Sequence, residues 1–243
     1  MSCCPTEILP VESSYKPKSD LVYITGATPG SGSPKQGILF IPDIFGPHPN
    51  AYQMADTLAG RGFIVVMPDF FRGTHWTLDT FPPADGFASP AWTNFLAGLT
   101  YEQLKPRIQQ GIAILKAMMT TTVDSESPKI GAVGFCWGGG LAMEALADGL
   151  VDSAASPHPS FLTTDLMKRV GGPVCLLPSK DDTELLDMKE AAESTGHKVV
   201  YKYFDDVHHG FCSARANFND ELNRKRTNEA VDIMVKFFDE TLA

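Results

Sequence analysis

The sequence has little of what several protein classes require. Its five cysteines, Cys3, Cys4, Cys136, Cys175 and Cys212, are odd in number and lack metal-site spacing. That argues against a disulfide scaffold or a zinc module and for a reducing, intracellular setting. Positive charge is short: 20 Lys and Arg against 29 Asp and Glu leave a formal net charge of −9. An acidic chain repels phosphate backbones and anionic lipid, so neither nucleic acid nor membrane is expected as a partner. No apolar run approaches the ~20 residues that cross a bilayer. The opening Met1-Ser2-Cys3-Cys4-Pro5 lacks the basic-then-apolar order of a secretory signal. The expected location is cytoplasmic. Internal repeats and low-complexity segments are absent as well.

What the chain does have is a steady alternation of apolar runs and helical patterns. Residues 21–25, 37–41, 63–67, 129–133, 151–155, 174–178 and 198–204 read as strands. The run Gly37-Ile38-Leu39-Phe40-Ile41 is continuous, as in a strand buried on both faces. A helix is expected from Asn50, as N-cap, to Leu58. Another follows the Thr100-x-x-Gln103 capping box as far as Met119, with Ile108, Ile112, Leu115 and Met119 on one face. Further helices are expected over 141–146, 184–194 and 220–242. Such alternation specifies an α/β fold, with a mostly parallel central sheet and helices on both faces. One domain is expected over residues 21–243, after a polar, Pro-punctuated arm over residues 1–20. Residues 70–99 carry Phe70, Phe71, Trp76, Phe81, Phe87, Trp92 and Phe95 in no regular pattern. A stretch of this length either covers a site as a partial lid or packs as a surface insertion.

The chemistry centres on Gly134-Phe135-Cys136-Trp137-Gly138-Gly139-Gly140. A strand pattern precedes it and an alanine-rich helical pattern follows. That is the setting of a G-x-S-x-G nucleophile elbow, with cysteine in place of serine. The glycines let strand and helix pass closely around a strained central residue. The helix start aims free N–H groups at the nucleophile, favouring a thiolate and a developing oxyanion. A dinucleotide-type phosphate loop needs G-x-G-x-x-G, which this segment does not supply.

Ligands of parallel sheets bind at the C-terminal strand ends, where the sequence sets Asp43, Cys136, the pair Asp181 and Asp182, and the pair His208 and His209. Nucleophile, acid, histidine is the chain order of an α/β-hydrolase triad. The histidine takes and returns the thiol proton, and the carboxylate fixes its tautomer. Asp181 competes with Asp182 for that role or caps the following helix. His158, between prolines, lines the site or ends a strand; His48 and Trp137 are further candidates to line it. Cys175 reads as core. Cys212, beside the histidine loop, opens a rival reading as a redox partner of Cys136.

Taken together, Asp43-Ile44-Phe45-Gly46, Met67-Pro68-Asp69-Phe70-Phe71, Gly134-Phe135-Cys136-Trp137-Gly138-Gly139, Asp182 and His209-Gly210-Phe211 resemble the dienelactone hydrolase (carboxymethylenebutenolidase) family, in particular its fungal-type members. The resemblance spans about residues 20–243. It implies an α/β-hydrolase fold and hydrolysis of ester or lactone bonds in small molecules, dienelactone-like enol lactones among them, through an acyl-enzyme. It implies Cys136 as nucleophile, Asp182 as acid, His209 as base, and the backbone N–H groups of Ile44 and Trp137 as oxyanion hole. No metal and no organic cofactor is implied. Bacterial members carry a glutamate in the segment matching Asp43, where it pairs with the resting thiol. Asp43 is one methylene shorter and either reaches Cys136 or anchors its loop. Those members also bind the substrate carboxylate with arginines, for which Arg72 and Arg215 are the nearest matches. The alternatives are a broad carboxylesterase or thioesterase, and a non-catalytic binding or redox-sensing protein on the same fold. The expected partner is a small-molecule substrate, and the expected state a monomer or homodimer.

Overall fold

The computed structural model describes residues 22–26, 36–119 and 128–243. The arm expected over residues 1–20, with Cys3 and Cys4, the turn region 27–35 and the first residue of the first expected strand lie outside the described residues. In chain order the elements are β1 (Val22–Thr25), β2 (Gln36–Ile41), α1 (Pro49–Ala59), β3 (Ile64–Pro68), α2 (Pro90–Ala97), α3 (Tyr101–Met119), β4 (Lys129–Gly134), α4 (Gly138–Ala147), β5 (Ser153–Pro157), α5 (Thr164–Met167), β6 (Val174–Leu177), α6 (Leu186–Glu193), β7 (Val199–Tyr201) and α7 (Glu221–Thr241).

The strands form a seven-stranded sheet in the order β1-β3-β2-β4-β5-β6-β7. β1 runs antiparallel to β3, and the other neighbours are parallel. The chain adds β3 on one side of β2, then crosses to place β4 on the other. Loops leaving β2 and β4 therefore part in opposite directions and open a crevice at their C-terminal ends, where sheets of this kind bind ligands. Alternation along β2 divides the core. Ile38 and Phe40 pack with Met54, Leu58, Phe63 and Phe238 on the side of α1 and α7. Leu39 and Ile41 pack with Ile108, Leu115 and Leu141 on the side of α3 and α4.

Beyond shifted strand ends, with β5 at Ser153–Pro157 and β7 only Val199–Tyr201, and an added short α5, local expectations change at three further places. The N-cap of α1 is His48, not Asn50: its Nδ1 accepts from the Asn50 N–H at 3.1 Å, and Pro49 takes the first helical position. Asn50 is instead buried, its Nδ2 donating to the carbonyls of Ser213, Ala214 and Ala216 at 3.2–3.3 Å. The aromatic stretch contains a helix, α2, capped by Ser89, whose Oγ accepts from the Trp92 N–H. No residue of α2 is fully buried, so it leaves no clean apolar face in the sequence. Finally, α6 starts after Leu185, in the left-handed region at φ 51°, without a side-chain cap; Asp181 does not cap it.

Candidate active site

β4 ends at Gly134 and α4 begins at Gly138, so the chain turns within the residues between them. Cys136, at the corner, has φ 53°. That left-handed conformation costs a residue with a Cβ about 1–3 kcal/mol and persists only where the surroundings enforce it. The flanking glycines make the enforcement possible. A Cβ on Gly134 would lie 2.0 Å from the Gly138 carbonyl oxygen, and a Cβ on Gly138 would lie 2.6 Å from that of Ile41. The Phe135 N–H donates to the Ile41 carbonyl at 3.0 Å and fastens the corner to β2. No group among the described residues accepts from the backbone N–H of Trp137, at the N-cap of α4, or from that of Ile44, in the loop after β2. Trp137 follows the corner residue directly, and Ile44 lines one cavity with Cys136.

The loop between β7 and α7 delivers His209. Its Nδ1 lies 2.5 Å from Asp182 Oδ1. The second Asp182 oxygen accepts from both the backbone N–H and the hydroxyl of Ser179 at 2.8 Å. The neighbouring acid holds the main chain instead, with Asp181 Oδ2 accepting from the His209 backbone N–H at 3.0 Å. The turn after β6 thus grips both the backbone and the ring of the histidine. Burial pulls His209 down, but the Asp182 carboxylate and the Cys136 sulfur outweigh it and push the imidazole up to about 10. His208 turns its Nδ1 to the carbonyl of His209 at 2.8 Å and takes no part in this contact.

Cys136 and His209 share the wall of a cavity of about 290 Å³ with Ile44, Asp43, Ser160 and Arg215. The rest is chiefly Phe45, Phe81, Phe87, Trp92, Leu96 and Phe161, so the stretch 70–99 does cover the site in part. Such a volume sits at the small end of the ~300–1,000 Å³ typical of small-molecule sites. The Arg215 guanidinium lies over the Phe81 ring, 5.8 Å from its centroid. Among the described residues it has no carboxylate at ion-pair distance.

Other candidates fall elsewhere. Asp43 is buried, and burial raises its carboxyl, although Ser213 and the N–H groups of Phe45 and Ala214 act in the other direction. Those two N–H groups bond separate oxygens, at 2.9 and 3.1 Å, so Asp43 anchors loops. Arg72 is exposed, with φ 51° and its backbone N–H on Asp69, and does not line the cavity. His158 is fully buried behind His209, ring centroids 4.9 Å apart, with neither ring nitrogen bonded. Burial, then the neighbouring His209, holds it well below the usual histidine range. The Trp137 indole is buried and donates to the Leu99 carbonyl rather than lining the cavity. Cys175 and Cys212 are buried core thiols, pushed up by burial, and Cys136, Cys175 and Cys212 are all free of disulfides.

The sequence reading missed Ser160. Its Oγ lies 3.7 Å from Cys136 Sγ, and its N–H donates to the Cys136 carbonyl at 2.9 Å. The one hint was positional: the loop after a strand neighbouring the elbow strand must pass the elbow.

A left-handed corner between strand and helix, set at the switch point of a mostly parallel sheet, is the mark of the α/β-hydrolase fold, and this chain has that fold. The sequence narrows the class. Residues 23–242 match the profile of the dienelactone hydrolase family, and the chain belongs to that family. An uncharacterized AIM2 family protein of Schizosaccharomyces pombe, C30D10.14, is 30% identical over 98% of both chains. Dienlactone hydrolase 1 of Gibberella moniliformis is 28% identical over 72% of this chain and 68% of its own. The crystal structure of dienelactone hydrolase from Anabaena variabilis superposes with a TM-score of 0.54 at 16% identity, covering 96% of this chain and 97% of that one. No helix among the described residues is long and apolar enough to cross a membrane.

Proposed function

We propose that this hydrolase cleaves ester or lactone bonds of small molecules, dienelactone-like enol lactones among them, with Cys136 as nucleophile, His209 as base and then acid, and Asp182 as the group that orients His209. The Cys136 sulfur attacks the carbonyl carbon, its proton held by His209. The carbonyl oxygen gains charge and takes hydrogen bonds from the backbone N–H groups of Ile44 and Trp137. A donor of this kind is worth roughly 3–4 kcal/mol in the transition state. The bond to the leaving oxygen then breaks, that oxygen takes the proton from His209, and a thioester remains on Cys136. Water attacks the thioester while His209 accepts its proton; the carboxylic acid departs and the proton returns to the sulfur side. A thiolate suits enol leaving groups, which depart without strong acid help. Neither half-reaction calls for a metal or an organic cofactor.

The reading is supported above all by one imidazole that is bonded to Asp182 and lines the same cavity as Cys136, whose sulfur helps to raise it. It is tested by hydrolysis of vinyl acetate, an ester with an enol leaving group. Cys136→Ala should lose turnover, and retained turnover would reject Cys136 as nucleophile. The apolar wall of the cavity favours a second reading, a broad carboxylesterase or thioesterase indifferent to a substrate carboxylate. In the first reading Arg215→Ala lowers kcat/KM for a carboxylate-bearing lactone far more than for an uncharged ester. In the second it affects both alike.

A further inference from the structure

We infer that the cavity beside Cys136 is built for an acyl group carrying a flat aromatic ring, so that the substrates are aryl-bearing esters or lactones. The inference rests on the esterase reading above and names the substrate class of that same site.

Four observations converge. First, the wall is a row of rings in mutual contact: Phe45 to Phe81 at 5.4 Å and 86°, Phe81 to Phe87 at 5.9 Å, Phe87 to Trp92 at 5.2 Å and 74°. At such separations and tilts the positive edge of one ring meets the negative face of the next. A further ring extends the row in the same way, and a saturated ring of equal size does not. Second, Phe87 and Phe161 line the cavity yet are 55% and 59% exposed, the most exposed large apolar side chains described. Their placement buries little for the fold. Third, Phe161 holds φ 62°, a costly conformation for a bulky residue. The preceding Ser160 is tied to the Cys136 carbonyl, so the strain keeps an aromatic side chain at the cavity without burying it in the core. Fourth, the Arg215 guanidinium rests over one aromatic face and lines the same cavity; a cation attracts an aromatic face, an attraction a saturated ring lacks.

The ring belongs on the acyl part. That part stays on the sulfur through both half-reactions, whereas the leaving group departs after the first. A cavity of about 290 Å³ limits it to a small ring system rather than a polymer.

The experiment compares kcat/KM for vinyl phenylacetate and vinyl cyclohexylacetate, which share leaving group and ring size. Acid release is followed by chromatography in the wild type, Phe87→Ala, Phe161→Ala and Cys136→Ala. The wild type should favour the phenylacetate roughly two- to tenfold, the worth of an aromatic pair beyond its buried area. The ratio should fall toward unity in both phenylalanine variants, whose exposed side chains the fold does not need. A wild-type ratio near unity, or one that neither variant lowers, overturns the aromatic assignment alone, provided hydrolysis is lost in Cys136→Ala. Hydrolysis that survives in Cys136→Ala, or is absent from the wild type with both esters, overturns the esterase reading and the assignment with it.

Discussion

The carboxylate of Asp43 accepts a hydrogen bond from the backbone N–H of Ala214 at 3.1 Å, across 171 residues of chain. Its other oxygen accepts from the Phe45 N–H at 2.9 Å. The loop carrying Ile44 and the loop carrying His209 are therefore fastened at one buried group. Asn50 strengthens the joint with three bonds to the carbonyls of Ser213, Ala214 and Ala216.

Removing that joint has a calculable effect. Asp43→Ala leaves two backbone donors without their acceptor, and a buried unpaired donor costs about 1–3 kcal/mol. The expected loss is roughly 2–6 kcal/mol in urea denaturation. A variant as stable as the wild type would show that the two loops hold without it.

How much of this was legible in the sequence depends on what each residue answers to. Strands and elbow were readable because their causes are local: a continuous apolar run such as Ile38 to Ile41, and glycines at 134 and 138 that no Cβ could replace. The order of cysteine, acid and histidine was readable for the same reason. The residues alone left Asp181 and Asp182 open, since both sit in one turn, and the family resemblance favoured Asp182; the structure gives each a separate hold on His209, Asp182 on the ring and Asp181 on the backbone. Ser160 and Phe161 were illegible because their position follows from β5 lying beside β4. Which arginine reaches the cavity likewise depends on loop paths: Arg72 turns outward on a left-handed residue, while Arg215 leans over Phe81.

Ser160 bears on the reactivity of the thiol. A hydroxyl 3.7 Å from Cys136 Sγ is a long hydrogen-bond donor to a thiolate. Ser160→Ala should slow iodoacetamide alkylation of Cys136 at neutral pH by about tenfold or less, given the modest worth of such a bond. Ser160→Thr should recover most of the rate. Unchanged alkylation in Ser160→Ala would assign the hydroxyl no part.

The elevated imidazole gives stability a pH signature. His209 rises from 6.5 in the absence of partners to about 10 in the fold. A group raised on folding stabilises fully below its unfolded value, and the contribution is lost as pH climbs through its folded value. The difference in unfolding free energy between wild type and His209→Gln should therefore be largest at pH 6.5 and below, and shrink between 6.5 and about 10. A difference that widens over that range in urea titrations would contradict the assignment of its partners.

The corner itself tolerates no Cβ at its strand end. Gly134→Ala sets a methyl group 2.0 Å from the Gly138 carbonyl oxygen, a backbone atom that cannot swing aside. A loss of about 3 kcal/mol or more is expected, read as a fall in thermal midpoint or in soluble yield. Wild-type stability would mean that β4 and α4 need not pass so closely.

The central claim is that the sulfur of Cys136 carries the acyl group. It is tested most directly by mixing the protein with vinyl acetate, quenching in acid within the first turnovers, and locating the acetyl group by peptide mass spectrometry. The account predicts acetyl on the peptide containing Cys136, with none on Ser160, and disappearance of the label as the ester is exhausted. Acetyl on Ser160, or turnover with no acylated residue at any time, would contradict it.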